Sequence, residues 1–177
     1  IGLNRAARSA EGQTYLFKAL ELQKKILGEE HPETAKSYAN FAISQCNLGK
    51  YQQALEYHLK ALEIRRKALG EEHPITAKSY SGTGNTLIGL QKYKEALFYN
   101  QKALEIRQKS LGDNHSETAQ SYSRFAVNLS KLGRYEEALT YHLKALEILN
   151  KIFGESHYLT AKIHTALKDF YRDLGNM

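Results

Sequence analysis

Four histidines recur at a fixed interval in this chain: His31, His73, His115 and His157, each 42 residues after the one before. A row of imidazoles is the residue type a metal site needs. Zinc, however, requires its ligand nitrogens about 2 Å from a single ion. Helices stacked side by side stand roughly 8–10 Å apart, so equivalent residues of successive repeats do not converge. These histidines are therefore expected to start helices, and no metal ligand is assigned. Phosphate chemistry is suggested by the glycines of segment 82–89, yet no strand pattern precedes it and Leu90 stands where a phosphate-loop lysine is needed. That segment reads as mid-helix, where each glycine costs about 1 kcal/mol relative to alanine. The first helix of the second repeat is accordingly expected to be the least stable. Twelve tyrosines suggest base stacking, but nine fall at three equivalent sets: Tyr38/Tyr80/Tyr122, Tyr51/Tyr93/Tyr135 and Tyr57/Tyr99/Tyr141. Tyr15 joins the last set, and recurrence in core-facing register means packing. His58 and His142 read as half-buried packing residues. No serine, cysteine or carboxylate pair has nucleophile–base spacing, so no catalytic residue and no cofactor are assigned, and the chain reads as non-enzymatic.

The elements behind these residues follow from the same period. Marker glycines at Gly28, Gly70, Gly112 and Gly154 are also 42 apart, inside similar phrases: Leu27-Gly28-Glu29-Glu30-His31-Pro32, Leu69-Gly70-Glu71-Glu72-His73-Pro74 and Leu111-Gly112-Asp113-Asn114-His115-Ser116. Self-similarity at a fixed period marks a solenoid, whose units bury their apolar faces by stacking. Pro32 and Pro74 suit the first helical position, and Ser116 is expected to serve as an N-cap in their place. Tyr38, Phe41, Ala42 and Gln45 then recur at helical spacing. Gly49 suits a left-handed helix end. A second helix over about 51–69 turns Ala54, Leu55, His58, Ala61 and Leu62 inward. Small residues (Ala42/Gly84/Ala126, Ala54/Ala96/Ala138, Ala61/Ala103/Ala145) mark where paired helices approach. The spacing predicts one array over 1–177: a half-repeat at 9–27 consisting of a second helix only, repeats at 28–69, 70–111 and 112–153, and a half-repeat or capping helix at 154–177. The architecture is all-α, a right-handed α-solenoid of stacked antiparallel helical hairpins with about eight helices. Lys168 occupies the small-residue position of Ala42, Gly84 and Ala126, so the last helix is expected to be a cap at or near the natural C-terminus. The chain opens on Ile1, and a segment of a longer polypeptide is expected.

The phrase Leu48-Gly49-Lys50-Tyr51-Gln52-Gln53-Ala54-Leu55-Glu56-Tyr57, followed by Lys60-Ala61-Leu62-Glu63-Ile64, resembles the tetratricopeptide repeat (TPR). The 42-residue period, with Leu-Gly-x-x-His-Pro-x-Thr-Ala joining the copies, is similar to the kinesin light chain type. The resemblance covers about 9–175. It implies a binding module whose first helices line a concave groove, gripping acidic peptide segments; kinesin light chains hold acidic motifs containing an aromatic residue. No motor-binding heptads are present.

On the first helices, positions offset from the buried face form a stripe at i, i+4, i+7 and i+11. It reads Lys36, Asn40, Ile43 and Asn47; then Lys78, Gly82, Asn85 and Gly89; then Gln120, Arg124, Val127 and Lys131; with Lys162, Ala166, Asp169 and Asp173 on the last helix. Lys36, Lys78, Arg124 and Lys162 make one tier basic, and cations beside amides suit carboxylates and extended peptide backbone. Gly82 is expected to open a pocket between Lys78 and Asn85 for one anchoring side chain. The asparagine at position 40 becomes Gly82 and Arg124 in the next copies, a departure from the family groove.

Composition bounds the partners. A net charge of +6 points to an anionic partner, though runs such as 60–67 mix both signs as a solvated helix face does. The leading expectation is a protein or peptide partner with an acidic segment; the alternatives are self-association through the terminal helices and weak nucleic-acid binding. No apolar run approaches the roughly 18 residues a membrane span requires. The single cysteine, Cys46, fits a reducing compartment, so an intracellular, cytoplasmic location is expected.

Overall fold

The computed structural model describes residues 2–175, with side chains described from residue 12 onward. Eight α-helices occupy the described residues: α1 (Gly2–Leu27), α2 (Pro32–Asn47), α3 (Tyr51–Leu69), α4 (Pro74–Gly89), α5 (Tyr93–Leu111), α6 (Ser116–Lys131), α7 (Tyr135–Phe153) and α8 (Tyr158–Gly175). The chain divides into two compact units, one holding α1–α3 and the other α4–α8, parting between Glu71 and Glu72. Helix α1 begins at Gly2, well before the start near residue 9 that the repeat register suggested.

The joining phrase works through local bonds. Gly28, Gly70, Gly112 and Gly154 adopt φ of 81° to 90°, and for the last three ψ lies between 163° and 171°, a region open only to glycine. Each histidine then caps the next helix. The Nδ1 atoms of His31, His73 and His115 accept the backbone N–H of Glu33, Ile75 and Glu117 at 3.1 Å, and His157 accepts that of Leu159 at 3.3 Å. The expected cap at Ser116 is corrected: His115 makes the capping bond and Ser116 is the first helical residue. The imidazole reaches the free N–H two residues on, and a hydroxyl one position later is already inside the turn. Thr34, Thr118 and Thr160 donate Oγ1–H to the carbonyls of Gly28, Gly112 and Gly154 at 2.8, 2.8 and 2.9 Å, tying each turn to its helix.

In the first unit, Leu20, Tyr38, Phe41, Ala61 and Ile64 form the core. In the second, Leu104, Tyr122, Phe125, Leu129, Ile148, Leu149, Ile163, Leu167 and Phe170 do so. Tyr38, Tyr80 and Tyr122 are buried and the second-helix tyrosines lean half-buried on them; Phe41 and Phe125 meet Tyr57 and Tyr141 edge-on at 4.8 and 5.1 Å. Tyr15 departs from its set at 72% exposure, because among the described residues no helix lies where α2 lies against Tyr57. His58 and His142 are fully buried (3% and 1% exposed), and Leu55 is half-buried. Lys168 stands in solvent. The helix α4 runs unbroken through Gly82 and Gly84, with Thr83 and Thr86 bonding back to the carbonyls of Ser79 and Gly82. Gly84 has a specific neighbour. A Cβ there would sit 2.3 Å from Asn100 Oδ1, so the glycine makes room for a buried amide. No described helix is long and apolar enough to cross a membrane.

Candidate peptide-binding faces

On α2 of the first unit, Lys36, Asn40, Ile43 and Asn47 are all exposed. Ile43 presents an apolar side chain to solvent at 49% exposure, and Lys36 lies 3.6 Å from Glu33. The stripe therefore forms a free face, polar except for one aliphatic spot.

The second unit is more featured. Lys78 and Asn85 project from α4 with Gly82 half-buried between them. On α6, Gln120, Arg124 and Val127 are half-buried and Lys131 is exposed. Two clefts open between α6 and α8. The first, about 100 Å3, is lined by Gln120, Ser123, Arg124, Leu159, Lys162 and Ile163. Among the described residues, neither Arg124 nor Lys162 has a carboxylate within ion-pair distance, and Lys162 Nζ instead lies 5.4 Å above the Tyr158 ring. Burial pulls the Arg124 guanidinium below its ordinary pKa while the charge of Glu117 opposes that shift. It remains a cation at neutral pH, half removed from water and unpaired. An anion entering this cleft meets two charges that need a counterion.

The second cleft, about 210 Å3, lies farther along the same helices. Val127, Lys131, Ala166 and Phe170 line it, and His142 of α7 forms part of its wall. Its rim charges are satisfied internally: Lys131 pairs with Asp173 and Arg172 with Asp169, both at 2.9 Å. The Asp173 carboxylate raises the Lys131 pKa, and Lys131 lowers that of Asp173. Inside, both ring nitrogens of His142 are buried without hydrogen-bond partners, and burial pushes its pKa down to about 4. The imidazole is neutral at pH 7. The basic tier thus divides into free cations (Lys78, Arg124 and Lys162) and one paired with an acid (Lys36); Lys131, lower on the stripe, is likewise held by an acid.

The sequence reading missed a buried network behind the first cleft. Arg107 of α5 is 5% exposed; its Nη1 donates to Ser81 Oγ at 3.0 Å and Ser121 Oγ at 2.5 Å, and its Nε lies 3.3 Å from Glu117 Oε2. Burial brings its pKa down to about 10, with Glu117 countering. The equivalent positions hold Arg65 in the first unit, also buried, and Leu149 after it. A cation recurring on the inward side of an amphipathic helix was the available signal. Asn100 and Asn128 are likewise fully buried with unpartnered amides. No group of three potential metal-binding side chains occurs among the described residues.

The tetratricopeptide repeat profile matches residues 40–109, 84–151 and 117–177. Among solved structures, BtubC (BKLC) from P. vanneervenii superposes with a TM-score of 0.79 at 20% identity, over 97% of this chain and 68% of that one. A kinesin light chain-like protein of nearly identical TPR-like repeats from Podospora anserina gives 0.77 at 22%, over 97% and 82%. The apo form of RapI gives 0.72 at 21%, over 97% and 46%. No curated protein sequence matches the chain.

Proposed function

Since the chain belongs to the tetratricopeptide repeat family, whose members serve as protein-interaction scaffolds, we propose that it is a non-enzymatic adaptor binding an extended, acidic partner segment on its first-helix faces. The observation that carries this reading is the α6–α8 cleft, where Arg124 and Lys162 stand together without a counterion beside Gln120 and Ser123. An unpaired, half-buried guanidinium is costly unless a ligand carboxylate completes it. The contribution of Lys78, Gly82 and Asn85 is a further contact tier on α4. On α2, Lys36, Asn40, Ile43 and Asn47 offer a separate polar face. With a lone cysteine and this partner class, an intracellular, cytoplasmic setting fits.

The test is fluorescence anisotropy with acidic peptides, comparing the wild type with Arg124→Glu/Lys162→Glu. Micromolar binding lost in the variant is expected; equal binding by both proteins refutes the assignment. Self-association has one observation in its favour, the exposure of Tyr15, Leu22 and Ile26 on α1 at 57% to 72%. A sedimentation coefficient independent of concentration would remove it. Nucleic-acid binding is not favoured, because second-helix lysines such as Lys60, Lys67, Lys109 and Lys144 are each engaged by a Glu or Asp.

A further inference from the structure

We infer that Arg107 is a positioning residue for the acidic-ligand cleft: it holds the Glu117 carboxylate and so keeps Arg124 free for a ligand. The inference rests on the cleft reading above. Glu117 lies two helical turns before Arg124 on the same face of α6, and helical side chains lean toward the N-terminus, so the Arg124 side chain points back along α6 toward Gln120 and Glu117. The charge of Glu117 already acts on Arg124. What draws this carboxylate is the charge of Arg107, whose Nε stands 3.3 Å away in an ion pair without hydrogen-bond geometry, while Nη1 is anchored by Ser81 and Ser121. A guanidinium fixed by two hydroxyls has little freedom to follow its partner, so Glu117 must come to it. About half of the Glu117 side chain remains in solvent, so once released from Arg107 the carboxylate is free to swing toward the cleft. Arg107 and Arg124 also repel one another electrostatically. An internal carboxylate that reaches Arg124 competes with every ligand carboxylate at very high effective concentration.

The following repeat supplies a way to remove Arg107 while keeping a packed core. There Leu149 and Ile163 stand where Arg107 and Ser121 stand, and both are buried in an apolar cluster. Arg107→Leu/Ser121→Ile copies that pair, releases the Glu117 carboxylate and takes the Arg107 donor away from the Ser81 hydroxyl. The probe is a fluorescein-labelled hexaglutamate peptide, titrated against the full chain by anisotropy. Relative to wild type, Arg107→Leu/Ser121→Ile is expected to bind about tenfold more weakly, because one charge pair of the complex has gained an internal competitor. Adding Glu117→Gln removes the competitor and is expected to restore affinity to within about twofold of wild type. A merely structural role for Arg107 gives no rescue by Glu117→Gln, and that result overturns the inference. Should hexaglutamate fail to bind even the wild type, the cleft reading fails by itself. The inference is then decided by the Arg124 Nε–H resonance in the Arg107→Leu/Ser121→Ile protein. A shift that Glu117→Gln reverses upholds the exchange of partners, and an unchanged resonance overturns it.

Discussion

Replacing Gly84 by alanine sets two local effects against each other at one atom. Helix propensity favours alanine by about 1 kcal/mol in mid-helix, and the neighbouring copies carry Ala42 and Ala126 at this position. The added Cβ, however, lands 2.3 Å from Asn100 Oδ1 and 2.7 Å from Asn100 Cγ, where carbon contacts ordinarily settle near 3.5–4.0 Å. Asn100 is 2% exposed, so its amide can move away only by pressing on packed neighbours. Forcing atoms into a packed core costs about 1–3 kcal/mol. The clash outweighs the propensity gain, and Gly84→Ala is expected to destabilise α4–α5 by about 1 kcal/mol net. The double variant Gly84→Ala/Asn100→His reproduces the pairs Ala42/His58 and Ala126/His142 that the other hairpins bury. It is expected to return to wild-type stability or slightly above, a coupling of about 1–2 kcal/mol. Urea unfolding followed by circular dichroism measures the total. Hydrogen exchange in α4 and α5 localises it, which matters because repeat proteins need not unfold in a single step. A Gly84→Ala protein as stable as wild type, or more so, refutes the steric account and leaves propensity as the deciding effect.

Other consequences are as direct. His58 and His142 are held neutral by burial, each with its pKa near 4 against an ordinary 6.5. Their unfolded forms bind protons first as pH falls, so their stabilising contribution is complete above about 6.5 and is lost progressively down to about 4. His58→Leu/His142→Leu should flatten the melting temperature over that window, and an unchanged slope refutes the assignment. Gly112→Ala places a side chain at φ 82°, ψ 167°, and should lower stability by about 1–3 kcal/mol in thermal melts. Thr118→Ala removes the part-buried bond to the Gly112 carbonyl and should cost about 1 kcal/mol in the same assay. Gly82→Leu should abolish acidic-peptide binding in anisotropy titrations without unfolding α4, and retained affinity would exclude a peptide contact there.

The sequence by itself determined the hairpins, because what makes them is local. A glycine in a φ, ψ region closed to other residues, an imidazole two residues before the N–H it caps, and a proline at the first helical position act within six residues of one another. The glycine and the imidazole repeat in all four copies and the proline in the first two, so the copies report the same turn geometry. The exposed stripe Lys36, Asn40, Ile43 and Asn47 was legible for the same reason, since helical periodicity alone turns it away from Tyr38 and Phe41. Which cations of the basic tier are free was decided by tertiary structure. Lys131 is spent on Asp173, 42 residues away, whereas Glu117 pairs with Arg107 of another helix and, among the described residues, no carboxylate pairs with Arg124. The second cleft has the same origin, for its lining comes from three helices and only their packing brings His142 up to Val127 and Ala166. Charge pairing and cavity shape depend on distances between helices, and periodicity along one helix does not encode those distances.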